Sequence, residues 1–458
     1  MPVEKSSRKP FRTTMSEQQP IETTAVGGKH TMAVRKTMQY RREVSSSNPG
    51  TTARKHYPMM PAAFAGLVVF FLFTLSNIPT PLYVIWQRDW GFSSGALTVV
   101  FSGTYVAAIM LSLLIVGRVA DQYGRRPVLV VGAVCACLAS VVFLMSDGVA
   151  DLLLGRFLSG VTIACTVTAG MAACVDLAPS GRKASGSLFA TIGLVSGAGF
   201  GPLLAGVIAP LSRNPQIPVF ITMLAISVLA LAITLLLPLG LPSPGHRKRR
   251  LLPALPRMPR VPRGFGRVLI WAIATASPGM TVAAFMAGLA PSVLAGLLHQ
   301  SNSVTAGIIV CSMFIAGTVA QIPVKRLDMR AQLAVGPMCA LLAMGIVALC
   351  VTIVPDVALF ALAAIMCGFA QGTGQLAAVA LIGTTIDRIH RSESNAALNL
   401  VSYIPTAVLP ILCGYAADGI GLAWACLAFA ILIIIITASC MVFTQRTYRR
   451  RVADEAGH

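Results

Sequence analysis

The chain has 458 residues, 55% of them hydrophobic and only 11% charged, with a mean hydropathy of +0.76. A soluble globular chain carries roughly 25% charged residues, so this composition excludes a water-soluble enzyme domain and indicates a membrane protein. The net charge is +20, and its placement, more than its size, decides between nucleic acid and lipid as partner.

A bilayer-crossing helix needs about 20 mostly apolar residues. Residues 1–60 hold no such run. They are basic and rich in Ser, Thr and Arg, and are expected to form a disordered cytoplasmic tail. They also lack the apolar core of a cleavable signal peptide, and Met32, Met59 and Met60 stand as alternative starts. Six apolar runs follow, near 61–86, 96–117, 127–145, 149–175, 186–210 and 217–240. The first contains Pro79 and Pro81, which cost a helix its internal hydrogen bonds. Residues 241–266 carry six prolines and the run Arg247 to Arg250, and read as a cytoplasmic linker. Six more runs fall near 267–298, 303–324, 331–354, 357–386, 396–417 and 421–443, and a basic cytoplasmic tail occupies 444–458. The expectation is an all-α membrane protein. Its twelve transmembrane helices fall in two six-helix bundles, over 61–240 and 267–443.

With these spans, 33 of the 36 Lys and Arg lie on one side. The opposite loops hold Arg88 and Arg213 beside Asp89, Asp147, Asp151, Asp356 and Asp418. This asymmetry is the positive-inside pattern and places both termini in the cytoplasm of a multi-pass plasma (inner) membrane protein. The basic stretches then lie beside anionic headgroups, with no nucleic acid as partner. All eleven cysteines fall inside spans and read as small apolar fillers. The halves resemble a diverged repeat. Pro81 matches Pro291 at an offset of 210, and Gly160 matches Gly372 at an offset of 212.

Three patterns carry functional meaning. The loop after the second span reads Gly117-Arg-Val-Ala-Asp121-Gln-Tyr-Gly124-Arg125-Arg126, in which Gly124 permits a tight turn and the arginines anchor the loop. The fifth span places Gly193, Gly197 and Gly201 on one helix face, followed by Pro202, Ala205 and Gly206. Such a face lets another backbone approach closely. Arg156, four residues before Gly160, is the one charge well inside a span, at roughly 10 Å depth. It is a candidate for substrate binding or proton coupling, or else a side chain snorkelling to the interface.

Together these patterns resemble the major facilitator superfamily, and in particular its twelve-helix drug:proton antiporter branch, over residues 61–443. The resemblance implies a conformational gate at Gly117, Asp121, Gly124, Arg125 and Arg126, which in the family locks against the end of span eleven. Asp176 and Arg182 in the loop after span four, and Asp387 and Arg391 in the matching loop, read from the sequence either as cytoplasmic charge networks that help close this gate or as solvated loop charges. It implies an antiporter-type packing motif at Gly193, Gly197, Gly201, Pro202 and Gly206, although Ala205 stands where that pattern has glycine. The implied function is secondary transport by alternating access, with export of a small organic compound or drug in exchange for protons. Uptake of a small metabolite such as an organic anion is the alternative, and a transport-inactive sensor is a third reading.

Asn77, Tyr83, Gln371, Gln375 and Asn399, with Tyr105, Gln321 and Tyr403, are candidates to line the cavity, against the plainer reading of interhelical hydrogen bonds. No Asp or Glu lies deep in a span. Proton coupling is therefore left to edge acids such as Asp121 or Asp176, or to the substrate's own charge, or is absent. No nucleotide loop, metal cluster or cofactor motif is present in the sequence, and the chain is expected to work as a monomer.

Overall fold

The computed structural model describes residues 59–239, 265–300, 302–387 and 390–456. The expectations for residues 1–58 and for nearly all of the linker lie outside the described residues, whereas residues 444–456, expected as a tail, continue the last helix, Leu422–Ala456. Within them the secondary structure is helical, with no strand. Twelve helical segments are long and apolar enough to cross a membrane. The first six are α1 (Met60–Trp90), α2 (Ser94–Gly117), α3 (Arg125–Leu144), α4 (Val149–Leu177), α5 (Ser180–Leu211) and α6 (Gln216–Leu236). The second six are α7 (Gly266–Gly296), α8 (Ser303–Val324), α9 (Met329–Thr352), α10 (Val357–Thr385), α11 (Glu393–Ile420) and α12 (Leu422–Arg451).

In the first bundle α1 packs on α5, α2 on α4, and α3 on α4 and α6. In the second, α7 packs on α10 and α11, α8 on α10, and α9 on α10 and α12. The bundles meet chiefly where α5 packs on α8 and α2 on α11. Burial sorts the helices into inner and outer. In the most apolar window, 78% of α7 and 67% of α1 are buried, against 28% of α12. A helix apolar all round and mostly unburied belongs against lipid, where hydrocarbon replaces protein as its solvent.

Successive crossings put the arginine-rich α2–α3 loop on one face, here called the basic face, and the α1–α2 and α11–α12 loops on the far face. Three departures from α-helix fall within helix interiors of the first bundle, besides the 3-10 turns at the two ends of α5. Pro79 and Pro81 interrupt α1, which passes through a 3-10 turn at Thr80–Leu82. Wider π-type turns occur in α2 at Val99–Thr104 and in α4 at Thr166–Gly170. Such turns are rare and cluster at functional sites. Toward the far face, Trp86 stacks with Phe143 and Phe220 at 6.3 and 6.0 Å, and its Nε1 donates to Gln216 Oε1 at 2.8 Å. This cluster ties α1, α3 and α6 together.

The offset seen between the halves has a counterpart in packing. Gly160 on α4 leaves no room for a Cβ against Ala108 and the Tyr105 carbonyl of α2. Gly372 on α10 leaves none against Gly317 of α8.

Candidate functional site

The centre of the first bundle is built around Arg156, which is fully buried. Its Nη1 donates to the Ser76 carbonyl of α1 at 2.6 Å, and its Nη2 to the Phe101 carbonyl of α2 at 3.1 Å. Both acceptors sit beside the irregular turns: Ser76 just before the proline break, and Phe101 inside the π-type turn. The guanidinium also lies 4.5 Å from the Tyr105 ring centroid and 4.8 Å from that of Phe101. A buried guanidinium with no carboxylate partner is costly, and carbonyl dipoles and ring faces offset that cost. The snorkelling alternative does not describe this side chain, because backbone acceptors deep in the bundle take its donors.

Tyr105 closes the same network, with its hydroxyl 2.6 Å from Ser76 Oγ. Asn77 donates to the Ala198 carbonyl of α5 at 3.3 Å. The Arg156 Nε, the Tyr83 hydroxyl and the Thr80 and Ser102 hydroxyls are buried without a partner among the described residues. Buried polar atoms are ordinarily satisfied. Four orphans contributed by α1, α2 and α4 therefore mark a polar site that water or a ligand can complete.

In the second bundle Gln375 Nε2 donates to Asn399 Oδ1 at 3.1 Å, joining α10 to α11. The Gln375 and Asn395 side-chain carbonyls are buried without partners among the described residues. Asn395, one turn before Asn399, was not singled out in the sequence, although its i, i+4 spacing to Asn399 puts both on one helix face. Gln371 is half-buried, and its main chain packs against Gly279 of α7.

At the basic face Gly124 turns the chain with φ +92°, a backbone angle that side chains disfavour. Arg125 Nε lies 2.7 Å from Asp176 Oδ2 and ties α3 to the end of α4. Arg126 donates to the Leu235 carbonyl of α6. Asp176 thus pairs with Arg125, while Arg182 is exposed. Lys183, which sequence reasoning passed over, donates to the carbonyls of Val175 and Asp176 at 2.8 and 3.0 Å. A cation on the last carbonyls of a helix completes its C-terminus. Arg391 plays the same part on α10, donating to Ile386 at 2.7 Å. The side chains of Arg118 and Asp121 lie outside the described ones. A Cβ at Gly117 would meet nothing within 4 Å, so no neighbour packs closely on that side of the glycine.

The glycine face of α5 does pack. A Cβ at Gly193, Gly197 or Gly201 would strike the carbonyl oxygens of Gly66, Phe70 and Thr74 on α1. Gly206 turns instead to α8, where Ser303 leaves a Cβ 2.5 Å of room, and Gly307 of α8 sits as tightly on the Pro202 carbonyl. The motif thus serves two joints, one within its bundle and one between bundles. The seam is completed at Gly199 with Cys311, Gly414 with Thr98, and Gly95 with Tyr415. These pairs lie in the middle and far-face halves of their helices.

Two helical bundles around buried polar centres, joined by α2–α11 and α5–α8, define a polytopic membrane transport protein. A family profile described as Major Facilitator Superfamily matches residues 64–336, and the chain belongs to that family. It is 31% identical over 143 residues to multidrug resistance protein MdtL of Citrobacter koseri, covering 31% of this chain and 35% of that protein. It is 38% identical over 74 residues to MdtL of Klebsiella pneumoniae strain 342, covering 16% of this chain and 19% of that one. The chain thus spans about a fifth to a third of the length of these curated relatives. Among solved structures, it resembles a bacterial homolog of the human lysosomal transporter Spinster, with a TM-score of 0.69 at 13% identity. That likeness covers 87% of this chain and 99% of the other. A POT family transporter in complex with 5-aminolevulinic acid matches with a TM-score of 0.67, also at 13% identity, over 85% and 96% of the two chains.

Proposed function

We propose that the protein is a secondary active transporter that works by alternating access and exports a small organic compound in exchange for protons. The observation that carries this reading is the asymmetry of the seam. Seam pairs from Gly199–Cys311 out to Gly95–Tyr415 hold the bundles together from mid-depth to the far face. At the other end, in the loop that resembles the family gate, no described residue comes within 4 Å of a Cβ built on Gly117. A molecule whose bundles are joined at the far face fits one of the two states that alternating access requires.

The positive-inside asymmetry makes the basic face cytoplasmic, so this is the state that loads substrate from inside. The similarity to proteins named for multidrug resistance favours export. In this reading the polar ends of the substrate meet the orphaned hydroxyls near Tyr83 and the Gln375–Asn399 pair. Arg156 braces the site: its two donor bonds run to main chain, while its Nε stays among the orphaned groups. Protons enter through acids at the membrane edges.

Reconstitution into liposomes with and without an imposed pH gradient tests the reading. Uptake of a lipophilic drug driven by an acidic lumen supports it. Transport that ignores the gradient removes the proton, and flux of an organic anion alone replaces export with facilitated uptake.

A further inference from the structure

The first turn of α2 is capped from the other bundle. Ser93 Oγ accepts from the Ala96 N–H at 3.1 Å, and the Leu97 N–H bonds the Ser93 carbonyl at 3.0 Å. The two remaining donors leave the helix. The Ser94 N–H reaches Asp418 Oδ1 at 2.7 Å, and the Gly95 N–H reaches Asp418 Oδ2 at 2.8 Å. A helix start normally satisfies these groups with local side chains or water. Here one carboxylate near the end of α11 takes both, adding charge to the hydrogen bonds and to the helix dipole.

The neighbouring contacts form one fitted patch around it. Gly414, one turn before Asp418, makes room for Thr98 and for the Ser94 carbonyl. Gly95 makes room for the ring of Tyr415. All of these pairs cross between bundles, so separation at the far face breaks every one of them and leaves the contacts inside each bundle untouched.

We propose that Asp418 is a gate residue: its carboxylate clamps the Ser94 and Gly95 amides of α2 while the far face is shut and releases them when the cavity opens there. This rests on the alternating-access reading above. It places a control point at the end of α2 opposite the Gly117–Arg126 loop.

The test uses the full chain with its native cysteines replaced and Thr98→Cys as a buried reporter in the seam. A membrane-impermeant maleimide is applied from the far face. Asp418→Ala and Asp418→Asn are expected to speed labelling about tenfold, the size of effect that loss of a charged helix cap produces. Asp418→Glu should stay slow. Unchanged labelling in both neutral variants overturns the proposal, including the case in which they only lower thermal stability.

A second arm replaces the clamp with a covalent one, Ser94→Cys with Asp418→Cys. Oxidation is expected to abolish transport and reduction to restore it. Undiminished transport with the bridge in place overturns the gate. Labelling needs no substrate, so a failed export assay leaves the first arm intact.

Discussion

Arg156 Nη1 lies 2.6 Å from the Ser76 carbonyl oxygen, and that one bond joins α4, about two turns in from its far-face end, to the last turn of α1 before its proline break. With Phe101 as its second acceptor, the guanidinium bridges three helices. Arg156→Ala leaves both carbonyls without this donor in the buried interior. A loss of about 2–4 kcal/mol is expected, because a buried group that loses a charged partner forfeits its full desolvation cost. Arg156→Lys should be intermediate, since an ammonium lacks the planar fork. Thermal denaturation in detergent checks this. Wild-type melting of Arg156→Ala with loss of transport would instead make Arg156 a ligand for substrate or proton.

The α5 stripe gives a sharper contrast. Gly197→Ala drives a methyl group into the Phe70 carbonyl, whereas Gly345→Ala on α9 points a methyl into open space. The first is expected to cost about 1–3 kcal/mol through overpacking. The second is expected to be neutral or to stabilise by up to about 1 kcal/mol through helix propensity. Equal melting temperatures for the two would refute the close approach of α1 and α5.

Arg125 and Asp176 are both partly exposed, at 37% and 52% of their side chains. An ion pair in that setting contributes roughly 0.5 kcal/mol. Breaking it with Arg125→Ala should leave expression and melting almost unchanged. A transport rate that falls sharply, and recovers in Arg125→Asp with Asp176→Arg, assigns the pair to gating. No recovery in the exchanged pair assigns the loss to something other than their mutual attraction.

Gln375 and Asn399 are expected to set substrate preference. Gln375→Leu combined with Asn399→Leu removes both partners of the hydrogen bond at little change in volume, so the fold should survive. The expected outcome is a several-fold rise in KM for polar compounds with little change for apolar ones, measured as drug-dependent growth and as uptake into vesicles. A uniform change across compounds removes the pair from the binding surface.

Orientation has its own measurement. A reporter fused after residue 245 is expected to be active in the cytoplasm. Activity outside the cell inverts the basic face and, with it, the direction of transport proposed above.

The spans were legible because lipid leaves a plain trace: long apolar runs, broken by charge. Their ends were less so, and α1 continues to Trp90, past Trp86 where the apolar run was drawn to stop. The prolines foretold the interruption of α1, and glycine spacing foretold a face for close approach. It could not say that Gly206 would leave its bundle for α8. Arg156 was visible as a charge out of place, but its role was hidden, because carbonyl acceptors 55 and 80 residues away carry no side-chain signature. Asp418 read as one more acid in a far-face loop, since a cap donated by a distant helix has no spacing to betray it.

Where Gly307 meets Pro202 and Gly206 meets Ser303, the seam is main chain laid on main chain. A bearing of that kind has no rotamers to re-sort as it turns, so little friction opposes a rocking motion. The same bareness makes it unforgiving: a single added methyl, 2.5 Å from a carbonyl oxygen of the facing helix, is grit in the joint.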